Sequence, residues 1–307
     1  NISILFSEII AIWIVLFWKE LKSPSKFNLV ELGSGNGEMI LQICKTLEKF
    51  PFIQKSCSIS IFEKSSYLKK IQKKKLKKYK IRWLNHLTDL PNFPTIFIAN
   101  EFFDALPIKQ FIKKKNKWYE RNIKYSKSSK AKILDLLTTV KKLETKVGFK
   151  ISSGQKFIEF SPLSLKYLKY ISKSIKLNNG GLLIIDYGYL DKQMKNTLKS
   201  ISKHKFNDVL ENFGKSDISH DLNFKLIEKI VNMLGLKVNG ITSQKYFLEK
   251  LGILERAELI SKDVPFSEKA NIYFRLKKLI DINEMGHLFK VMFITKKNMN
   301  FKTGFQN

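Results

Sequence analysis

Cysteine is almost absent from this sequence: Cys44 and Cys57 are its only two in 307 residues. Neither stands in a paired metal-ligand spacing, and two thiols make no disulfide framework. A disulfide-stapled scaffold is therefore excluded and no metal site is predicted. Both thiols read as structural, in a reducing compartment. Arginine is nearly as scarce. Only Arg82, Arg121, Arg256 and Arg275 occur among the 56 basic residues, and the rest are lysine. Base and phosphate recognition favours the planar arginine fork. The formal charge of +29 is instead spread as lysine along the whole chain, which reads as a compositional bias of the kind an AT-rich coding sequence gives. The densest run, 69–80, reads as a solvated helix face, and no specific nucleic-acid partner is expected. Binding to random DNA should then be weak, indifferent to sequence and strongly salt-dependent. Tight binding in an anisotropy titration that persists well above physiological salt would contradict this.

Long hydrophobic runs are also missing. The apolar run 9–18 falls short of the ~20 residues that cross a bilayer. It lacks the basic flank and small-residue cleavage site of a signal peptide. A helix covering a sheet is expected there, and no transmembrane segment. The chain enters this helix directly from Asn1, and a segment upstream of it is expected. No internal repeat is visible.

What is present is a strand–helix alternation in a chain that is 44% apolar, long enough for one large α/β domain with insertions. Strands are predicted at 27–32, 57–62, 80–84 and 95–99, with helices at 38–50 and from Ser65. This order predicts a doubly wound, mostly parallel sheet. A hairpin is predicted from 109–114 and 117–123 about Lys115-Asn116, then a polar, mobile excursion over 124–148. A helix at 163–176 precedes a buried strand at 182–186. Shorter helices follow at 224–234, 246–251 and 254–261, and a last strand at 287–295. The expected division is a single domain with its core in 1–107, 155–190 and 286–296. The insertions 108–154 and 191–285 would form a substrate or cap region.

The sharpest signal is Leu-Val-Glu-Leu-Gly-Ser-Gly-Asn-Gly-Glu at 29–38. Glycines let a chain turn from strand to helix and approach a ligand closely. The helix start behind them offers free N–H groups and a positive dipole. A dinucleotide fingerprint needs a third glycine where Glu38 stands, and a phosphate-binding P-loop needs a Gly-Lys-Ser/Thr step that is absent. The acid Glu31 followed by Gly33, Gly35 and Gly37 resembles motif I of S-adenosylmethionine-dependent methyltransferases. Glu63, at the end of the second strand, stands where a carboxylate can accept both ribose hydroxyls. Past the fourth strand lie Asn100, Glu101 and Asp104, and past the fifth lie Asp186 and Tyr187. In a doubly wound sheet these strand ends surround the ligand crevice.

Several blocks together resemble the MidA family. They are 7–13, the turn 31–37, Ala-Asn-Glu-Phe-Phe-Asp-Ala-Leu-Pro at 99–107, Trp-Tyr-Glu-Arg at 118–121, Ile-Asp-Tyr-Gly at 185–188, 247–253 and 285–291. The resemblance covers nearly the whole chain, and 99–107 is its most specific part. It implies a class I, Rossmann-like methyltransferase using S-adenosyl-L-methionine, held by Glu31, Gly33, Gly35, Gly37 and Glu63. It also implies methylation of arginine in a protein, with a respiratory complex I subunit as partner. The compartment would be the mitochondrial matrix in a eukaryote or the cytoplasm in a bacterium. Acids suit that acceptor, because guanidinium is protonated at neutral pH and a carboxylate can take it bidentately. Glu101 is then expected as guanidinium clamp, Asp104 as second carboxylate or base and Asn100 as polar support. Asp186 and Tyr187 would lie on the substrate side. A non-catalytic assembly protein retaining the fold, and a methyltransferase for RNA or a small molecule, are the competing readings. Ser34 and Asn36 stand where the family usually has Pro and Arg, the segment 217–221 follows the family's pattern loosely, and His204 lies in a stretch similar to the family's.

Overall fold

The computed structural model describes residues 3–126, 129–202, 205–211 and 214–305. Helix α1 (Ser3–Glu20) leads into β1 (Phe27–Leu32), α2 (Glu38–Leu47), α3 (Pro51–Ser56), β2 (Cys57–Phe62), α4 (Ser66–Lys75), β3 (Ile81–Leu84) and β4 (Thr95–Asn100). The middle of the chain adds β5 (Lys109–Lys114), β6 (Lys117–Ser126), β7 (Ser129–Thr138), α5 (Lys141–Val147), β8 (Phe157–Phe160), α6 (Pro162–Asn178) and β9 (Gly180–Tyr189). Three short strands, β10 (Lys199–Ser202), β11 (Lys205–Asn207) and β12 (Asp217–Ser219), form a small sheet of their own. The remainder is β13 (Leu222–Asn223), α7 (Phe224–Met233), β14 (Leu236–Ser243), α8 (Gln244–Lys250), α9 (Ile253–Ile260), α10 (Phe266–Ile280), α11 (Met285–Leu288) and β15 (Phe289–Lys296).

The main sheet runs β14-β15-β9-β4-β1-β2-β3, with β13 beside the end of β9. Strands β3, β2, β1, β4 and β9 are parallel, and β15 enters antiparallel between β9 and β14. The winding reverses between the neighbours β1 and β4, so their carboxyl ends border the crevice where such sheets bind ligands. All six residues of β1 are buried, as expected of a strand covered on both faces. Phe27 and Leu29 pack with α1, α2 and α8 to α10 on one face, and Val30 and Leu32 pack with α5 to α7 on the other.

The run 9–18 is core. Trp13 and Phe17 are fully buried in an aromatic cluster with Phe293 and Phe301, and the Trp13 indole N–H donates to the carbonyl of Thr303 at 3.2 Å. Among the described residues no helix is long and apolar enough to cross a membrane.

The inserted sheet β7-β6-β5-β8 contains the expected hairpin. Both Lys115 and Asn116 take positive φ, 46° and 62°, as its two-residue turn requires. The excursion expected over 124–148 is corrected: its described residues include the last three of β6, the edge strand β7 and helix α5. Strand β7 lacks the alternation that marks a half-buried strand, because Ile133, Leu134, Leu136 and Leu137 are all exposed, on both of its faces. Two further elements had no clear pattern. Helix α10 buries only Leu276 and Leu279 and exposes Phe266 and Phe274. Strand β14, expected in the cap, is an edge of the main sheet. Only its Leu236 is buried, and a bulge breaks its register after Val238.

Candidate active site

The turn from β1 to α2 places Gly33, Gly35 and Gly37 all at positive φ, 69°, 51° and 79°, where a side chain is strained. Each has a different neighbour. A Cβ on Gly33 would stand 2.8 Å from Cδ2 of Phe102, and one on Gly37 would stand 3.3 Å from Cγ of Gln72. A Cβ on Gly35 would meet nothing within 4 Å. The turn is thus packed at its ends and open at its middle, next to the start of α2, where Gly37 brings no capping side chain. The two departures from the family pattern have local uses. The Ser34 hydroxyl donates to Oε2 of the buried Glu31, and Oδ1 of Asn36 accepts from the N–H of Glu38.

Glu63 closes β2 and is buried. Its Oε1 accepts from the N–H of Ser65 at 2.8 Å, and its Oε2 from Nε2 of Gln72 at 3.3 Å. A carboxylate has about four lone-pair sites, so it can still accept two ribose hydroxyls. Gln72 was missed by the sequence reading. It is fully buried on α4, donates 2.8 Å to the carbonyl of Gly35 and accepts 2.9 Å from Nε1 of Trp83. It ties the middle of the glycine turn to Glu63. Its signal was hidden in the lysine run 69–80, where Gln72 and Leu76 turn inward among solvated lysines.

Across the crevice, β4 ends at Asn100. Glu101 then adopts φ 48°, a left-handed conformation that costs a non-glycine residue of the order of 1 kcal/mol and that collects at functional sites. Its N–H is fixed to the carbonyl of Ile185 at 3.0 Å, and its Oε1 lies 3.4 Å from Nδ2 of Asn100. The side chain is exposed in the crevice, yet burial by the surrounding walls raises its pKa. After this kink Phe102 and Phe103 enter the core and Asp104 is buried with them. Asp104 is 6% exposed, and its Oδ1 is buried with no hydrogen-bond partner among the described residues.

Asp186, expected on the substrate side, lies inside the protein on β9. It is fully buried; Oδ2 accepts from the N–H groups of Phe103 and Asp104 at 3.1 and 3.3 Å, and Oδ1 from that of Tyr187 at 3.0 Å. Oδ2 thus holds the Glu101–Asp104 kink while Oδ1 satisfies the neighbouring amide of its own strand end, because a carboxylate between two loops is the nearest acceptor for their orphan amides. His220 joins the same loop: its backbone N–H donates 3.1 Å to the carbonyl of Asp104, and burial lowers the pKa of its ring. The segment 217–221 had marked it only loosely. His204 lies outside the described residues. Tyr187 faces the neighbouring cavity, its ring centroid 4.0 Å from that of Phe289.

These acids share an electrostatic signature. Burial, then the charge of Glu101, pushes Asp104 up to about 6; burial, opposed by the Ser34 hydroxyl, pushes Glu31 up to about 7; burial and the charge of Asp104 hold Asp186 well above the usual carboxylate range. Raised folded-state values mean that the folded chain holds protons the unfolded chain has released. The resulting stability is fully present below about pH 4 and is lost as pH rises through 6 and 7. The melting temperature of the ligand-free chain should therefore fall between pH 5 and pH 8, by the equivalent of roughly 2–3 kcal/mol. Glu31→Gln should remove much of that slope in a melting series. A stability that rises with pH over this range would refute the assignment.

Comparisons with known proteins agree with this geometry. Residues 9–242 match the family described as "Putative S-adenosyl-L-methionine-dependent methyltransferase". The chain belongs to this methyltransferase family. Its cofactor is S-adenosyl-L-methionine, and the open turn at Gly35 with Glu63 beside it fits that ligand. The chain is 26% identical to "Protein arginine methyltransferase NDUFAF7, mitochondrial" of Xenopus tropicalis, over 94% of this chain and 73% of that one. It is likewise 28% identical to the "homolog, mitochondrial" of the same name in Drosophila melanogaster, over 95% of this chain and 72% of that one. Among solved structures it is similar in fold to a superfamily member from Burkholderia thailandensis bound to S-adenosyl-homocysteine. The TM-score is 0.78 at 21% identity, covering all of this chain and 78% of that one.

Proposed function

We propose that this methyltransferase acts on arginine in a protein. The observation that carries the reading is Glu101. A strained backbone at the end of β4 carries its exposed carboxylate, close enough to the buried Asp104 for its charge to be felt there, on a loop whose Phe102 packs on Gly33. Glycine turn and acids are thereby locked in one frame. When bound, S-adenosyl-L-methionine supplies an electrophilic methyl group. The chain's own residues do the rest. The Glu101 carboxylate pairs with the guanidinium, neutralises its charge and aims one terminal nitrogen toward the turn. Asp104 is the second carboxylate and receives the proton that this nitrogen releases, a role that its pKa of about 6 suits at neutral pH. Asn100 supports Glu101. Fixing two reactants in this geometry supplies several kcal/mol of the barrier.

The curated relatives carry arginine methyltransferase in their names, which supports this acceptor over RNA or a small molecule. The family resemblance supports a complex I subunit as substrate, symmetric dimethylarginine as product, and the matrix or bacterial cytoplasm as compartment. The insertion 108–154 and the part of 191–285 outside β14 are the substrate or cap region of a single domain. Quantitative mass spectrometry of cells with and without the gene tests this reading. Loss of dimethylarginine from a respiratory-complex subunit is expected; an unchanged arginine methylation profile would refute it.

A further inference from the structure

Beside the acids, at the far end of β9, lies a cavity of about 690 Å³ whose walls carry cations. Tyr187 forms part of its floor. Lys199 stands over that ring, 4.5 Å from its centroid, and is ion-paired at 2.6 Å to Asp221. Lys290, near the start of β15, is different. It is 9% exposed, and its ammonium donates to the carbonyl of His287. Among the described residues it forms no ion pair. The acid directly across from it in the sheet is Asp186, whose two oxygens are both engaged by amides. Burial lowers the pKa of Lys290, as an uncompensated ammonium requires. A desolvated cation without a counter-ion is costly to keep, and this one lines an open cavity next to the site proposed for a cationic acceptor.

These two facts conflict unless the incoming chain brings charge of both signs. We infer that the cavity at the end of β9 and β15 is a specificity subsite for an acidic residue of the substrate, with Lys290 as the receptor of its carboxylate and the acceptor arginine on Glu101. This rests on the arginine reading of the site. The spacing follows from the sheet. From β4 across β9 to β15 is two strand spacings, about 10 Å, and an extended segment advances about 3.3 Å per residue. The acid therefore lies about two to four residues from the target arginine. Lys199, over the Tyr187 ring, lines the same cavity, and the exposed Phe206 and Leu288 form a rim on which the segment's backbone can lie.

Two peptides test this: acetyl-Gly-Arg-Gly-Gly-Glu-Gly-amide and its glutamine counterpart, titrated calorimetrically into the full chain saturated with S-adenosyl-homocysteine, and assayed separately for methylation. The glutamate peptide should bind about tenfold or more tightly, since a charge-assisted bond in a desolvated site is worth at least one such factor. Lys290→Met should erase that preference and Lys290→Arg should retain it, with melting curves confirming both folds. In methylation the preference should appear in KM rather than kcat. Equal binding of the two peptides, no binding of either, or a preference that survives Lys290→Met would overturn the inference. A Lys290-dependent binding preference without methylation of either peptide would uphold the subsite and overturn the acceptor assigned to Glu101.

Discussion

Glu101→Gln should lower methyl transfer by about two orders of magnitude or more while leaving the affinity for S-adenosyl-L-methionine nearly unchanged. The substitution keeps the size of the side chain and one acceptor oxygen, and glutamine bears the φ of 48° no worse than glutamate. What it removes is the charge that neutralises a guanidinium and holds it bidentately. A charge-assisted bond to a reacting group contributes a few kcal/mol, and each 1.4 kcal/mol is about tenfold in rate. The contacts proposed for the cofactor lie elsewhere, on the glycine turn and Glu63. Glu63→Ala should show the converse, weakened cofactor binding with the acceptor side intact, measured by calorimetry and single-turnover kinetics. If Glu101→Gln methylates its protein at the wild-type rate, the clamp is wrong. If it loses cofactor binding with its fold intact, Glu101 belongs to the cofactor pocket.

Gly35→Val should abolish detectable binding of S-adenosyl-L-methionine without unfolding the chain. Nothing lies within 4 Å of the position a Cβ would take on Gly35, so the side chain enters without a clash in the ligand-free protein. The cost to folding is that of a β-branched residue at φ 51°, of the order of 1–3 kcal/mol. The same volume is what a ligand lying across the turn requires. Gly33→Val is an instructive contrast. It drives a Cβ to within 2.8 Å of the Phe102 ring and should destabilise the fold itself. Wild-type cofactor affinity in Gly35→Val, with the melting temperature only slightly lowered, would remove the ligand from this turn.

Much of this site could be read from residue order, and the reason is periodicity. Strands β1 and β4 are covered on both faces, so they appear as short, mostly apolar runs, β2 shows a serine–apolar alternation, and the ends of all three are marked by glycines or acids. The turn at Gly33 to Gly37 and the acids Glu63, Glu101 and Asp104 follow directly from those ends. The division between Asp104 and Asp186 did not. A strand-end aspartate looks the same whether it faces a ligand or three backbone amides, and only the packing of the β4 and β9 loops against each other distinguishes them. Gln72 was concealed for the opposite reason: most of its neighbours are lysines that report solvent, while it turns inward beside Leu76. The left-handed backbone at Glu101 leaves no compositional trace, since glutamate is not a residue selected for positive φ. Strand β7 escaped because an edge strand exposed on both faces has no period to detect.

The most direct measurement is methyl transfer itself. The purified protein is incubated with methyl-labelled S-adenosyl-L-methionine and an extract from cells lacking its gene, and the labelled protein is hydrolysed to amino acids. The expected result is label in a single polypeptide, in dimethylarginine with one methyl on each terminal nitrogen, and its loss with Glu101→Gln. Label in lysine, in RNA or in a small metabolite, or none in protein at all, would contradict an arginine acceptor held on Glu101.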